Sequence, residues 1–347
     1  MKEKYFAASN SYRGFCSYYD NAFDIDKLRR IYAIKGGSGT GKAFFMKSVA
    51  EQAEERGLSV RYVYCSSDPD SLDGIIIKEM KTAILDGTAP HIYEPKIVGA
   101  VDSIVDLGAF LNTEMLGKSR KIIEKIGDAK HRGFENAYRY LAAYKKISDN
   151  IRFLTLPCVK LEKVRKFVDR VVKNLPTGEG SEENLLVRSI GMKGIASFDT
   201  YYQGASLYYG VCDYFDVAHV LTDEIYRAFK EAKIDMMISN NPIIPERIDA
   251  ICSVKNGLTF EICNTERDGG RSISMKRFVD ASAISSIRKQ YRALVGVRDD
   301  ILNLALSELE RIRKYHFILE DIYGSAMDFE KKEEFTTRFC KKFFQNN

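Results

Sequence analysis

No stretch of the 347-residue sequence is apolar for long enough to span a bilayer as a helix, and Met1-Lys-Glu-Lys-Tyr5 is not followed by a signal-peptide core. A helical membrane protein is therefore not expected, and the cytoplasm is the expected compartment. Seven cysteines (16, 65, 158, 212, 252, 263 and 340) include no C-x-x-C pair, which argues against a zinc ribbon and against a secreted disulfide framework. They read as reduced, mostly buried thiols. The charge excess is also small, +5 from 53 basic and 48 acidic residues, so charge alone calls for no nucleic-acid partner. What is present is hydrophobic content of 45% over a length that allows two domains with cores of their own.

The most informative stretch is Gly36-Gly37-Ser38-Gly39-Thr40-Gly41-Lys42, between the apolar run Ile31–Ile34 and a helical pattern from Ala43 to Arg56. In a G-x-x-x-x-G-K loop the glycines let backbone N–H groups turn inward around a di- or triphosphate, and the lysine ammonium reaches its outer oxygens. A strand reading for Val60–Tyr64 and a C-capping Gly57 supply the strand, loop, helix, strand order that a phosphate cradle needs. The spacing Gly37-x-Gly39-x-Gly41 also suits a dinucleotide turn, but Lys42 directly after the last glycine favours a triphosphate. One position departs from the pattern. Ala43 stands where a Ser or Thr hydroxyl would coordinate Mg²⁺, so nucleotide binding is expected to survive better than turnover.

Two acidic segments follow. Cys65-Ser-Ser-Asp-Pro-Asp-Ser-Leu-Asp73 lies at the carboxyl end of the second strand, which makes Asp68 and Asp70 candidates for a base, a water-positioning group or a metal contact. The alternative is turn and N-cap chemistry. Thr82-Ala-Ile-Leu-Asp86 has the form of a Walker B strand, with Asp86 at its tip to hold Mg²⁺ opposite the loop. Thr88 and His91 would then lie just beyond the metal, although a hydrogen-bonded loop histidine is the plainer reading of His91.

Helical spacing recurs over Glu114–Lys146 and Val159–Lys173, and Leu175–Asn184 is rich in Pro, Gly, Ser and acid, as a linker is. Lys118, Arg120, Lys121, Lys125, Lys130, His131 and Arg132 make the first helix basic, and a solvated surface is the reading preferred over a nucleic-acid face. The expected organisation is a phosphate-loop lobe over 1–112, a helical segment over 113–174, a linker over 175–184, a second lobe over 185–282 and a C-terminal helical segment over 283–347.

The second lobe is inferred from echoes in a common order. Arg13-Gly-Phe-Cys-Ser-Tyr is matched by Lys193-Gly-Ile-Ala-Ser-Phe, Ser66-Ser-Asp-Pro69 by Ser239-Asn-Asn-Pro242, and Leu72-Asp-Gly-Ile75 by Ile248-Asp-Ala-Ile251. Where the second cradle should stand, Leu207–Asp216 has one glycine and no lysine, and Asn264 takes the place of Asp86 by position. The expected fold is α/β, two P-loop NTPase-like lobes of parallel sheet, each with an appended helical segment and only the first competent.

These features resemble a family of bacterial tandem P-loop proteins, usually labelled only as ATPases or nucleotide-kinase-like proteins. The resemblance runs over essentially the full length and is carried by Gly36–Lys42, the Asp68-Pro69 turn and Asp86-Gly-Thr-Ala-Pro-His91. It implies ATP and Mg²⁺ as ligands, and hydrolysis. In that reading Gly36 to Ala43 bind the phosphates, Lys42 neutralises transition-state charge, Asp86 holds the metal through water and Asp68 positions the attacking water. Arg267 or Arg271 would complete the site from the other lobe. The alternative is a non-hydrolysing module whose nucleotide sets the angle between lobes for a protein partner or a second copy of the chain. A small-molecule kinase, with Asp70 or Asp73 at an acceptor hydroxyl, ranks last.

Overall fold

The computed structural model describes residues 2–24, 26–90, 92–263 and 269–345. Among them the first half carries strands β1 (Glu3–Phe6), β2 (Ala8–Ser11), β3 (Gly14–Ser17), β4 (Arg30–Lys35), β5 (Val60–Tyr64), β6 (Leu72–Ile77), β7 (Thr82–Asp86) and β8 (Asp102–Asp106). Its helices are α1 (Tyr19–Ala22), α2 (Lys42–Glu55), α3 (Thr113–Thr155) and α4 (Leu161–Val172). The second half carries β9 (Glu182–Asn184), β10 (Arg188–Gly191), β11 (Gly194–Ser197), β12 (Leu207–Cys212), β13 (Met236–Asn240), β14 (Ile248–Ser253), β15 (Leu258–Ile262) and β16 (Arg271–Ser274). With them are α5 (Thr200–Gln203), α6 (Ala218–Glu231), α7 (Ala281–Ser325) and α8 (Phe329–Gln345).

Each half builds a six-stranded sheet, and the order is the same: β1-β5-β6-β7-β4-β8 in one and β9-β13-β14-β15-β12-β16 in the other. Neighbours are parallel except around β6 and β14, which run against both of theirs. Even the irregularity recurs, at Val63/Tyr64 and at Ser239/Asn240. The chain is thus a mixed α/β protein with two mostly parallel sheets flanked by helices.

The residue pattern explains the layering. Both faces of the first sheet are covered, so its strands read as nearly continuous apolar runs. Along β4, Ile31 and Ala33 join a core shared with Val187, Met237 and Ala250 of the other half, while Ile34 points to the opposite face. There it meets α2, whose buried Phe45, Met46, Val49, Ala50 and Ala53 follow helical spacing.

The long helices α3 and α7 have 43 and 45 residues and so span roughly 65 Å each. They run antiparallel: Asn112 N–H bonds Ala326 O beside the start of α3, and Asp280 N–H bonds Cys158 O beside the start of α7, each at 2.8 Å. Matching N-caps open them, Asn112 Oδ1 on Met115 N–H and Asp280 Oδ1 on Ser282 and Ala283 N–H. Because each crosses to the other lobe, each half delivers its last helix to its counterpart. Val164 and Val168 of α4 pack with Leu221 and Ile225 of α6, and Phe339 of α8 packs on Phe45 of α2 at 4.9 Å between ring centroids.

The short α1 is anchored in the central core by Tyr19 and Ala22, and the described residues after it, up to β4, make turns. The chain breaks at Ala7 between β1 and β2, and the expected linker ends as β9, which pairs with β13. No helix of the described residues is long and apolar enough to cross a membrane.

Candidate functional site

Strand β4 lies between β7 and β8, parallel to both, and the chain turns at its carboxyl end through residues 36–41 into α2. Gly39 and Gly41 adopt left-handed φ values of 69° and 78°, which is the conformational reason for glycine there. Thr40 is fully buried and its Oγ1 donates to Gly37 O at 2.9 Å. The Lys42 ammonium folds back over this ring, donating to Gly37 O at 2.7 Å and Gly36 O at 3.3 Å. No side chain caps α2 at Gly41, so N–H groups of its first turn remain available to a ligand.

On the adjacent strand Asp86 completes the arrangement. Its Oδ2 stands 3.5 Å from Lys42 Nζ, and both side chains are mostly buried. Thr88 fixes the carboxylate by donating its N–H at 2.9 Å and its hydroxyl at 2.6 Å to Oδ1. Burial raises the Asp86 pKa above the usual Asp value; Lys42 and the Thr88 bonds oppose that rise, and the charge of buried Asp73 adds to it. Ala43 packs its methyl against the apolar core and offers no metal ligand. Among the described residues no group of three or more His, Cys, Asp or Glu side chains could hold a metal. The residues therefore suit a polyphosphate, with one carboxylate toward a cation carried by phosphate and water.

The loop is covered from outside by the other half. A Cβ on Gly37 would lie 2.8 Å from the Tyr323 ring, one on Gly39 would lie 2.6 Å from Glu320 O, and one on Gly41 would lie 3.3 Å from Lys332 Nζ. These three glycines thus serve close helix packing as well as loop geometry. Residues 36–39, 41 and 42 remain partly exposed, so the cover does not seal the loop.

The acidic turn behaves differently from expectation. Asp68 Oδ1 lies 2.6 Å from Lys193 Nζ, and Asp70 pairs with the same lysine, which lowers the Asp70 pKa. Among the described residues Asp68 makes no ion pair with Lys42, so its carboxylate ties the lobes together where a water-positioning role was expected. The brace recurs as Arg13 with Glu246. Gly191 and Met192 close on this turn, with Met192 N–H on Ser67 O at 3.0 Å.

Arg271 opens the edge strand of the second sheet and bonds the Tyr209 hydroxyl at 3.2 Å, so it does not complete the first site. His91, Asn264 and Arg267 lie outside the described residues. The groups that reach toward the loop from the helices come from elsewhere. Lys118, Arg120 and His131 are solvated, their side chains 75%, 79% and 76% exposed, but Lys130 turns inward and sets Nζ 3.2 Å from His316 Nδ1. Burial and the nearby Lys42 charge lower the Lys130 pKa, with Cys65 and Glu320 opposing. A signal existed: Lys130 falls on the stripe Ile126, Gly133, Phe134, Ala137, Leu141, which faces α7. Lys332 likewise shares the buried stripe of Thr336, Cys340 and Phe343 on α8.

The second lobe shows what replaces the cradle. Its loop, residues 213–217, is one residue shorter and is held by its own acids. Asp213 Oδ1 accepts from Val217 and Ala218 N–H, both at 3.0 Å, so a carboxylate stands at the start of α6. Asp216, at φ 59°, takes Arg298 at 3.1 Å and Arg247 at 3.5 Å. Register places Ile262 opposite Val211 as Asp86 stands opposite Ile34, so Ile262, where Asn264 was expected, is the counterpart of Asp86, and the strand-tip carboxylate is replaced by an apolar side chain. An anion site there is filled from within.

No protein-family model, curated protein or solved structure matches this chain.

Proposed function

We propose that the first lobe is a P-loop NTPase-like site that binds a nucleoside triphosphate with Mg²⁺, ATP being the expected nucleotide, and hydrolyses it there alone. The observation that carries this reading is the Lys42 ammonium held inside the glycine loop at 2.7 Å from Gly37 O and 3.5 Å from the Asp86 carboxylate on the neighbouring strand. A bound triphosphate would take over the lysine and the first-turn N–H groups of α2, while Asp86 would meet Mg²⁺ through water. Mg²⁺ supplies charge neutralisation and orientation of the phosphates; the chain supplies the cradle, the ammonium and a carboxylate fixed by Thr88. The reading agrees with the resemblance to tandem P-loop proteins, and the same sheet order in both halves supports a duplicated unit.

A second reading, in which nucleotide is held without turnover, is favoured by Ala43 and by the engagement of Asp68 with Lys193. In it the helix α7 is the reporter. Its N-terminal half contributes Arg298 to the second loop and its last turns pack Glu320 and Tyr323 on the first. Titration with ATP, with and without Mg²⁺, followed by assay of released phosphate in the same sample separates the readings. Saturable binding with phosphate release supports the ATPase, binding without release supports the switch, and no binding removes both.

A further inference from the structure

The two halves share one topology, so each position near the first loop has a counterpart near the second. Lys130 and Arg298 are each the eighteenth residue of their long helix. In the second lobe Arg298 reaches Asp216 at 3.1 Å, a carboxylate belonging to the loop itself. The first loop contains no acid, and Lys130 meets a histidine nitrogen there. The counterpart comparison is sharper for Lys332. It is the fourth residue of α8, and the fourth residue of α4 is Val164, fully buried in the apolar core of the second lobe.

A lysine at a position suited to valine needs a reason. Lys332 is only 4% exposed, and among the described residues its Nζ meets no carboxylate within 4 Å and makes no hydrogen bond. The Phe44 ring at 4.2 Å and the Phe329 ring at 5.9 Å steady the charge but accept none of its three donors in a conventional hydrogen bond. Burial lowers its pKa, with Glu333 opposing. A lysine buried along its stem, whose ammonium makes no protein hydrogen bond, costs stability, and here that ammonium is placed at Gly41, where α2 opens with its N–H groups uncapped.

We infer that Lys332, carried in on the exchanged C-terminal helix, is a second phosphate ligand of the first loop, and that Lys130 supports it from α3. The inference rests on the proposed nucleotide site and adds its partner cations. The ligand class is a polyphosphate tail, bound by the loop amides together with ammonium groups from both halves. The site is then incomplete in the first lobe alone, and nucleotide binding fastens α8 and α3 to it.

The test is calorimetric titration of the full chain with ATP and with inorganic tripolyphosphate, each with Mg²⁺, for the wild type, Lys332→Val, Lys332→Arg and Lys130→Met. Lys332→Val installs the other half's own residue. It is expected to weaken both ligands about 10-fold, as loss of a charge-assisted bond does, and Lys332→Arg is expected to restore most of that loss. Lys130→Met is expected to weaken both by a smaller factor. Unliganded Lys332→Val is expected to melt at or above the wild-type temperature, whereas a merely structural lysine would lower it. Wild-type binding matched within twofold by Lys332→Val overturns the inference and leaves the nucleotide site standing. Absence of binding by the wild type overturns both. If Lys332→Val does not fold, Lys332→Gln takes its place, and binding of both ligands by Lys332→Gln within twofold of wild type with unchanged salt dependence overturns the inference.

Discussion

Lys42→Met removes the ammonium and keeps most of the stem. That ammonium already has neighbours at 2.7 Å (Gly37 O), 3.3 Å (Gly36 O) and 3.5 Å (Asp86 Oδ2), so a phosphate gains only what exceeds these contacts. A hydrogen bond with a charged partner contributes about 1.5–3 kcal/mol and a neutral one about 0.5–1.5 kcal/mol. The ammonium is charged in both cases, so exchanging its bonds to two neutral carbonyls for bonds to two charged phosphate oxygens moves each bond by about 0.5–1.5 kcal/mol within the charged range, roughly 1–3 kcal/mol together, or a loss of roughly 5- to 150-fold in affinity. The variant also leaves Asp86 without its cation, and Thr88 keeps its two bonds to Oδ1. Titration of wild type and variant with ATP and Mg²⁺ at one salt concentration reads the difference directly. Affinities that agree within twofold would refute the assignment of the loop as a phosphate cradle.

Other perturbations test neighbouring steps. Asp86→Asn removes a carboxyl whose folded-state pKa is raised above the usual 3.8 by burial. The folded wild type therefore holds that proton more tightly, and its stability falls as pH rises from about 3.8 through the raised value. In chelator, the difference in melting temperature between variant and wild type should move in the variant's favour over that window; a difference that is flat or reversed contradicts the burial argument. Ala43→Ser returns the hydroxyl beside the first turn of α2 and should strengthen Mg²⁺-dependent ATP binding roughly 2- to 12-fold, the scale of one net hydrogen bond; Mg²⁺-independent binding should stay as it was. Phe343→Ala empties a position that is 4% exposed between Tyr32 and Phe339 and should cost about 3–5 kcal/mol in denaturant unfolding followed by circular dichroism. A cost under 1 kcal/mol would mean that α8 is not seated on the first lobe.

The local chemistry of the first site was open to inspection in the sequence because it is written in neighbouring residues. Gly39 and Gly41 permit left-handed turns, Lys42 opens a helix, and the apolar run to Asp86 makes a buried strand with a polar tip. The echoes between halves likewise mark one strand order used twice. The groups that reach the loop from afar were hidden. Lys130 stood in a run of basic residues where only the helix phase separates an inward side chain from solvated ones, and Lys332 stood in a short charged stretch, Glu330-Lys-Lys-Glu-Glu334.

The sequence by itself determined which residues turn, which strands are buried and which half retained a lysine in its loop, since backbone freedom and apolar periodicity act over a few residues. Tertiary structure decided what covers that loop. It spent Asp68 on Lys193 and brought Arg298 to Asp216, pairs far apart in the sequence, and it sent α8 back to the first lobe, which depends on where two helices of roughly 65 Å end. A distance of that order is set by packing between distant segments, which no local pattern encodes.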